Sequence, residues 1–320
     1  MHFPPVQNVW FLTGPTASGK SAVGIAVAKQ IGAEIISMDS MAVYREMNIG
    51  TAKPSIEERS EVVHHLIDLV EPDQNFSISE YLRAAHAAID GIRKKNRKVL
   101  FVGGTPLYLK ALLSGFDDGP KADWDLRAQL EAEAKARGKE ALYTELTKVD
   151  PQAAERIHPH DQRRIIRALE YYKKTGQRIS AGQKHFAIGP NADSVRVIAL
   201  DWPRDILHSR INARVEEMFR SGWVEEVRGI LEKHEVLGRT AMQAVGYREI
   251  RALLGAEIDL ETAIKKTQAG TRQLARRQLI WLRSLAECQM IQLQVPMNIA
   301  QVTQEIIQIK GPSEVSAGDD

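Results

Sequence analysis

Gly14-Pro15-Thr16-Ala17-Ser18-Gly19-Lys20-Ser21 fits the pattern G-x-x-x-x-G-K-[ST] and directly follows the apolar run Val9 to Leu12. Glycines let such a backbone curl until several N–H groups face one anion, and the following helix adds the positive end of its dipole. Gly14, Thr16, Ala17, Ser18 and Gly19 would line that cradle, Lys20 would neutralise phosphate charge, and the Ser21 hydroxyl would hold Mg²⁺. The next residues predict a helix over 22–31, with Val23, Ala26, Val27 and Ile31 on its apolar positions and Gly32 as a left-handed cap. Strand, loop and helix in that order indicate a bound phosphate compound without saying which.

These residues must be positioned by a sheet. Apolar runs at Val9 to Leu12, Glu34 to Ser37 and Val99 to Val102 alternate with helical patterns, including Ile78 to Lys95. That alternation predicts an α/β fold: a parallel-sheet core around the phosphate loop, with helices on both faces. Ligands of such sheets sit beyond the carboxyl ends of the strands. The second run leads into Ser37-Met38-Asp39-Ser40, which makes Asp39 a candidate catalytic group, although a turn or a helix cap would also use it. The third leads into Gly103-Gly104-Thr105-Pro106, where the Thr105 hydroxyl would meet the same ligand or merely complete a turn. A motor or switch ATPase would carry an acidic Mg²⁺ ligand at the end of an apolar strand; here the third run ends in glycine.

After Gly115-Phe116-Asp117-Asp118-Gly119-Pro120 the chain becomes rich in Ala, Glu, Leu, Arg and Lys, from Asp123 to Lys174, with no strand candidate. The expected organisation is a core of residues 1–120 and 194–310, a mostly helical insertion at 121–193 and a disordered tail at 311–320. Ser194 to Leu200 resumes the strand pattern, and Ile206 to Phe219 and Ala263 to Ala286 predict the main later helices. No run approaches the length needed to cross a bilayer and no secretory leader is seen, so a cytoplasmic protein without membrane contact is expected, with a monomer as the simplest assembly. The single cysteine, Cys288, excludes an internal disulfide and a multi-cysteine zinc site, which leaves oxygen ligands for any metal. A net charge of +2 excludes a uniformly basic nucleic-acid binder, so RNA contact must rest on local clusters. Arg163, Arg164 and Arg167 form one, and Arg272, Arg276, Arg277 and Arg283 another, with Arg272, Arg276 and Arg283 in one sector of a helix from which Leu274 and Trp281 point away.

The motifs, taken in order, resemble the tRNA dimethylallyltransferase family, also called tRNA isopentenyltransferases, over nearly the whole chain. Beside the phosphate loop they are Asp39-Ser40 with Val43-Tyr44-Arg45, Ile49-Gly50-Thr51-Ala52-Lys53-Pro54, His64-His65-Leu66-Ile67-Asp68 and Gly103-Gly104-Thr105-Pro106-Leu107-Tyr108. Later come Arg167-Ala168-Leu169-Glu170, Ala244-Val245-Gly246-Tyr247-Arg248 and Thr271-Arg272-Gln273-Leu274-Ala275-Arg276-Arg277-Gln278 with Trp281-Leu282-Arg283. The resemblance implies transfer of a dimethylallyl group from dimethylallyl diphosphate to the exocyclic N6 amine of the adenosine 3′-adjacent to the anticodon, with diphosphate released. It also implies that the loop, a pattern often labelled an ATP site, holds the isoprenoid diphosphate with Mg²⁺.

In that scheme Asp39 is the general base, Thr105 contacts the reacting groups and Arg214 reaches the diphosphate. Arg210 shares a helix face with Arg214, and a solvated rim paired with Glu217 is the plain alternative for both. The tRNA anticodon stem-loop would be met by Asp39, Ser40, Met41 and Ala42, by Thr105, Arg127, Arg163, Arg164 and Arg167, and by Gln243, Gly246, Tyr247 and Arg248. Arg276, Arg277, Gln278, Trp281 and Arg283 complete that set. Ala42 stands where many relatives carry a larger polar residue and Arg163 where glutamine is common, and the lack of a C-terminal zinc finger matches the shorter bacterial type. On the loop alone, a small-molecule kinase of nucleoside or shikimate type, or a non-catalytic phosphate-dependent RNA-binding protein, would fit equally.

Overall fold

The computed structural model describes residues 2–182 and 195–309. Ser194, the last part of the expected insertion and the tail at 311–320 lie outside the described residues. In chain order the elements are β1 (His2–Phe3), β2 (Val9–Thr13), α1 (Lys20–Ile31), β3 (Ala33–Ser37), α2 (Ile56–Glu61), β4 (His64–His65), α3 (Ile78–Lys94), β5 (Lys98–Val102), α4 (Pro106–Ser114) and β6 (Phe116–Asp117). They continue with α5 (Trp124–Arg137), α6 (Lys139–Val149), α7 (Pro151–Arg156), α8 (Gln162–Thr175), α9 (Ile179–Gly182), β7 (Val195–Asp201), α10 (Arg204–Arg220), α11 (Trp223–Lys233), α12 (Tyr247–Leu254), α13 (Leu260–Arg283), β8 (Cys288–Gln292) and α14 (Ile299–Gln308). No helix among the described residues is long and apolar enough to cross a membrane.

The chain divides into two compact units, Val6–Leu109 with Pro190–Asp320, and Met1–Pro5 with Lys110–Gly189. The first contains a six-stranded parallel sheet in the order β4-β3-β5-β2-β7-β8. Its inner strands read as near-continuous apolar runs because both faces are covered. Leu12, Ile35, Leu100 and Ile198 join Val23 and Val27 of α1 and Val302 and Ile306 of α14 in one core. With the two-residue period of a strand, Phe11, Ile36 and Phe101 point to the opposite face, where the Phe11 and Phe101 rings stack at 4.9 Å. Gly32 closes α1 at φ 67°, with its N–H donating to Ala28 O, as its position predicts.

The resumed strand pattern becomes β7, which pairs with β2 and so leaves the phosphate loop between two neighbouring strands, β5 and β7. The sequence reading missed β4 and β8 at the two edges. β4 is two residues long and β8, Cys-Gln-Met-Ile-Gln, buries only Ile291 fully, so neither offers the apolar run that marks a central strand. Cys288 is half-buried in β8, and burial pushes its thiol up to about 12.

Trp223, the first residue of α11, is fully buried between two glycines. A Cβ on Gly50 would lie 2.2 Å from its Nε1, and one on Gly246 would lie 2.1 Å from its ring. Three residues on, Glu226 accepts the N–H groups of Asn48 at 2.9 Å, Ile49 at 2.7 Å and Gly50 at 3.3 Å, and the Tyr247 hydroxyl at 3.1 Å. The Ile49-to-Pro54 motif is thus held from α11. Its Lys53 donates to Tyr44 O, Asn48 Oδ1 and Asp68 Oδ1, while Arg59 takes the other Asp68 oxygen.

The second unit is helical apart from the β1–β6 pair. α5 to α8 close over Leu130, Leu142, Leu146, Ile165 and Leu169. Glu170, wholly buried, receives Arg127 through two hydrogen bonds of 3.0 and 2.8 Å, Arg167, and the Asp123 N–H.

Gly246→Ala should lower stability by about 2–4 kcal/mol, because the residue sits at φ 96° and its new methyl group would enter the Trp223 ring. Urea unfolding would register this as a lower midpoint with an unchanged slope.

Candidate active site

The carboxyl ends of β3, β5 and β2 open on a cavity of about 940 Å³. β2 delivers the phosphate loop. Gly14 at φ 143°, Ala17 at φ 63° and Gly19 at φ 94° give the curl, and Gly19 serves as the left-handed residue just before α1. For the N–H groups to converge, the carbonyl oxygens must be held outside. Pro15 O accepts the Ser18 N–H at 3.3 Å and the Lys20 ammonium at 2.8 Å, Ala17 O accepts Arg210 Nε at 2.9 Å, and Ser18 O accepts the Trp202 indole N–H at 3.1 Å. Ser18 Oγ is buried with no hydrogen-bond partner among the described residues, an orphan that a phosphate oxygen would satisfy. Thr16 lines the cavity as expected, but its N–H is already taken, donating to Gln278 Oε1 at 2.9 Å.

Gln278, expected at the tRNA surface, is buried. Its amide donates to Gly104 O at 2.6 Å while accepting from Thr16, so one side chain joins the loop after β2 to the turn after β5. The paired glycines of that turn are steric necessities. A Cβ at Gly103 would lie 2.2 Å from Met38 O, and one at Gly104 would lie 2.7 Å from Gln278 Nε2. The close approach lets Thr105 N–H donate to Met38 O at 3.2 Å and Thr105 Oγ1 accept the Ser40 N–H at 3.0 Å.

Asp39 Oδ1 accepts the Met41 N–H at 2.8 Å, so the turn foreseen as its plain alternative is real, and it aims the carboxylate. Asp39, Ser40, Met41, Ala42, Thr105, Lys20, Ser21, Arg214 and Gln243 all line the cavity. Around the Lys20 ammonium, burial and the neighbouring Arg214 charge pull its pKa down to about 8 against the opposing pull of Asp39. Burial also lowers Arg214, with Asp39 opposing and Arg210 adding to the shift. The rim pairing foreseen for Arg210 and Arg214 is replaced: Arg210 lies 4.7 Å over Trp202 and holds the loop, while Glu217 pairs with Arg220. Trp202 and Lys53 were not read as site residues, although Trp202 directly follows a strand and Lys53 belongs to the Ile49-to-Pro54 motif; Arg210 was read as sharing a helix face with Arg214.

The other expected RNA contacts separate into two groups. Arg163 and Arg164 of α8, Arg248 of α12, and Arg276 and Arg277 of α13 are exposed, with Arg164 paired to Asp161 and Arg248 to Glu249. Arg127 and Arg167 are occupied by Glu170, Arg283 donates to the buried Asp201 at 2.8 Å, and Arg272 donates to Asn212 Oδ1. Trp281 is half-buried, and Gly246 and Tyr247 are packed against Trp223.

A family model described as IPP transferase matches residues 42–285. A tRNA dimethylallyltransferase of Rhodopirellula baltica is 46% identical over 292 residues, covering 89% of this chain and 87% of its own length. One from Moorella thermoacetica is 45% identical over 278 residues, covering 85% and 86%. Among solved structures, the full-length tRNA isopentenylpyrophosphate transferase of Bacillus halodurans superposes with a TM-score of 0.68 at 36% identity, over 94% of this chain and 96% of that one. A eukaryotic dimethylallyltransferase captured acting on tRNA gives 0.76 at 27% identity, over 90% and 74%.

Two measurements test the site. Gln278→Ala leaves two partners behind and should cost about 2–4 kcal/mol of stability in urea. If only ammonium-form Lys20 accepts an anion, affinity for an alkyl diphosphate should fall about tenfold between about pH 7 and 9, as the group loses its proton around pH 8. Titration calorimetry should show this fall in the native chain and not in Lys20→Met.

Proposed function

The chain belongs to the IPP transferase family, the tRNA dimethylallyltransferases, and from that membership we propose how its cavity carries out the transfer. It is a tRNA-modifying prenyltransferase, and the acceptor is the N6 amine of the adenosine on the 3′ side of the anticodon. The observation that carries the proposal is the meeting of Lys20, Arg214, Thr105 and Asp39 in one cavity at the mouth of the phosphate loop.

Breaking the allylic carbon–oxygen bond puts negative charge on the departing diphosphate. The loop, Lys20 and Arg214 stand around the cavity before that charge develops, which is when preorganised donors act most strongly. Removing one donor of this kind typically costs about 3 kcal/mol of barrier. Ser21, whose hydroxyl opens on the cavity at the start of α1, is an oxygen donor suited to Mg²⁺, with the diphosphate supplying further oxygens. When bound, that ion would screen the diphosphate charge and orient its oxygens. Adenine N6 is a weak nucleophile, since its lone pair is delocalised into the ring. Asp39, held by Met41 N–H, orients the amine and takes its proton as the new carbon–nitrogen bond forms. Thr105, with its backbone on Met38 O and its hydroxyl on Ser40, fixes the distance between them.

Arg163, Arg164, Arg248, Arg276, Arg277 and Arg283 are exposed and would meet RNA phosphates and splayed bases. Arg127 and Arg167 act one step behind, through Glu170. Taking the adenosine out of its stack costs a few kcal/mol, which these phosphate contacts offset. The small-molecule kinase and the passive RNA binder that fit the loop alone have no counterpart among the relatives named above.

The test is incubation with radiolabelled dimethylallyl diphosphate and unmodified tRNA, followed by nucleoside mass spectrometry. Prenylated adenosine is expected from the native chain. Asp39→Ala should lose about two to four powers of ten in rate while tRNA affinity stays within a few fold. Phosphate transfer from ATP to a small acceptor, with the tRNA unmodified, would refute the assignment.

A further inference from the structure

His234 ends α11 with a side chain that is only 8% exposed, and its Nε2 has no hydrogen-bond partner. Two carboxylates face that nitrogen without bonding to it. Glu46 Oε2 is 3.5 Å away and Glu71 Oε2 is 4.0 Å away, and Glu71 Oε2 is itself buried and unpartnered. The three donor atoms lie within 4.8 Å of one another. Each carboxylate has its other oxygen engaged by a basic side chain, Glu46 by Lys233 and Glu71 by Arg45 at 3.0 Å. The second ring nitrogen of His234 lies 3.7 Å from Asp73 Oδ2.

We propose that Glu46, Glu71 and His234 form a zinc-binding site, separate from the active-site cavity, that staples the end of α11 to the turns carrying the two glutamates. Tetrahedral zinc with bonds of 2.0–2.1 Å sets its ligand atoms about 3.3 Å apart, so the His234–Glu46 opening of 3.5 Å fits nearly as it stands, Glu71 would have to swing inward, and water would take the fourth position. The second oxygens of both carboxylates are already held by Lys233 and Arg45, and Asp73 Oδ2, 3.7 Å from the far ring nitrogen, stands one small shift from the hydrogen bond that commonly orients a ligating imidazole. Three carboxylates against Arg45 and Lys233 leave one negative charge for a cation to neutralise. One imidazole among oxygen donors selects a borderline transition cation over Mg²⁺, which keeps to oxygen. A plain pair between His234 and Glu46 would still leave Glu71 Oε2 buried and unpartnered, and a cation held by all three residues would satisfy it. The segment after His234 is tied to the same place, with Gly238 N–H donating to Pro72 O at 2.8 Å, and it leads on to Gln243, Ala244 and Val245 in the cavity wall.

The test is equilibrium dialysis of the chelator-stripped full chain against zinc in excess Mg²⁺, which saturates oxygen-only sites, with circular dichroism to confirm the fold. The native chain should hold one zinc that His234→Asn lacks. Glu71→Gln, on a half-exposed side chain, should bind it at least about tenfold more weakly, and Asp73→Asn about 10–100-fold more weakly. The double variant His158→Ala, His160→Ala, at an exposed histidine pair, should bind as the native chain does. If His234→Asn does not fold, Glu71→Gln decides. Absence of zinc from the folded native chain, or native affinity in Glu71→Gln, overturns the proposal.

Discussion

The amide of Gln278 sets the working shape of the molecule. A phosphate cradle turns its N–H groups inward, a backbone arrangement that leaves carbonyl oxygens outward and needs left-handed residues that do not hold themselves. Gln278 fixes one side of the cradle by accepting Thr16 N–H and donating to Gly104 O. Arg210, Trp202 and the Lys20 ammonium hold the outward oxygens of Ala17, Ser18 and Pro15. α13 and α10 are therefore parts of the active site although neither continues the loop. Their role is to keep the donors aligned before substrate arrives, so that no reorganisation is needed when charge moves.

That alignment is kept at an energetic cost. Lys20, Arg210 and Arg214 gather positive charge in a partly desolvated place, and Asp39 is the acid that opposes it at Lys20 and Arg214. Because burial depresses the Lys20 pKa, the cost is fully present below about pH 8 and is relieved as pH rises toward its ordinary 10.5. Such a site is complete only with an anion in it, and the unpartnered Ser18 hydroxyl points to the same conclusion. Under the proposed reaction, a bound diphosphate would supply that counter-charge and its departure would remove it.

What could be read from the chain followed physical necessity. The central strands announce themselves because both faces are buried, and the loop because few residue types allow its curl. Edge strands β4 and β8 carry no such signature, since half of each faces water. A helical wheel placed Arg272, Arg276 and Arg283 together correctly as directions, but it could not say that Asn212 and Asp201 lie opposite two of them. Partners brought from 60 or more positions away have no local trace. Arg127 likewise meets Glu170 from 43 positions away, whereas the Arg167–Glu170 pair, three residues apart on α8, was legible as a local pair and only the burial of Glu170 was not. Gly246 and Tyr247 read as parts of a contact motif because their packing partner, Trp223, lies more than twenty residues earlier.

Strand order, finally, explains why one sheet can serve a three-body reaction. β3, β5 and β2 are consecutive neighbours, and each ends in a different tool: Asp39, Thr105 and the phosphate loop. Strands stand about 4.8 Å apart, so the ends of β3 and β2 are about 10 Å apart, with the Thr105 turn between them. A displacement at carbon needs the nucleophile and the leaving group on opposite sides of the reacting atom, and in the proposed reaction these two strand ends would supply the two sides. Reversing β5 and β2 would put the cradle beside Asp39, crowd the base against the leaving group and leave Thr105 outside the line. Gly103 and Gly104 are what allow the middle turn to sit so close to both flanking strands, against Met38 O on one side and Gly14 O on the other. Strand pairing sets the spacing, and the glycine pair lets the middle turn fit within it without pushing the flanking turns apart.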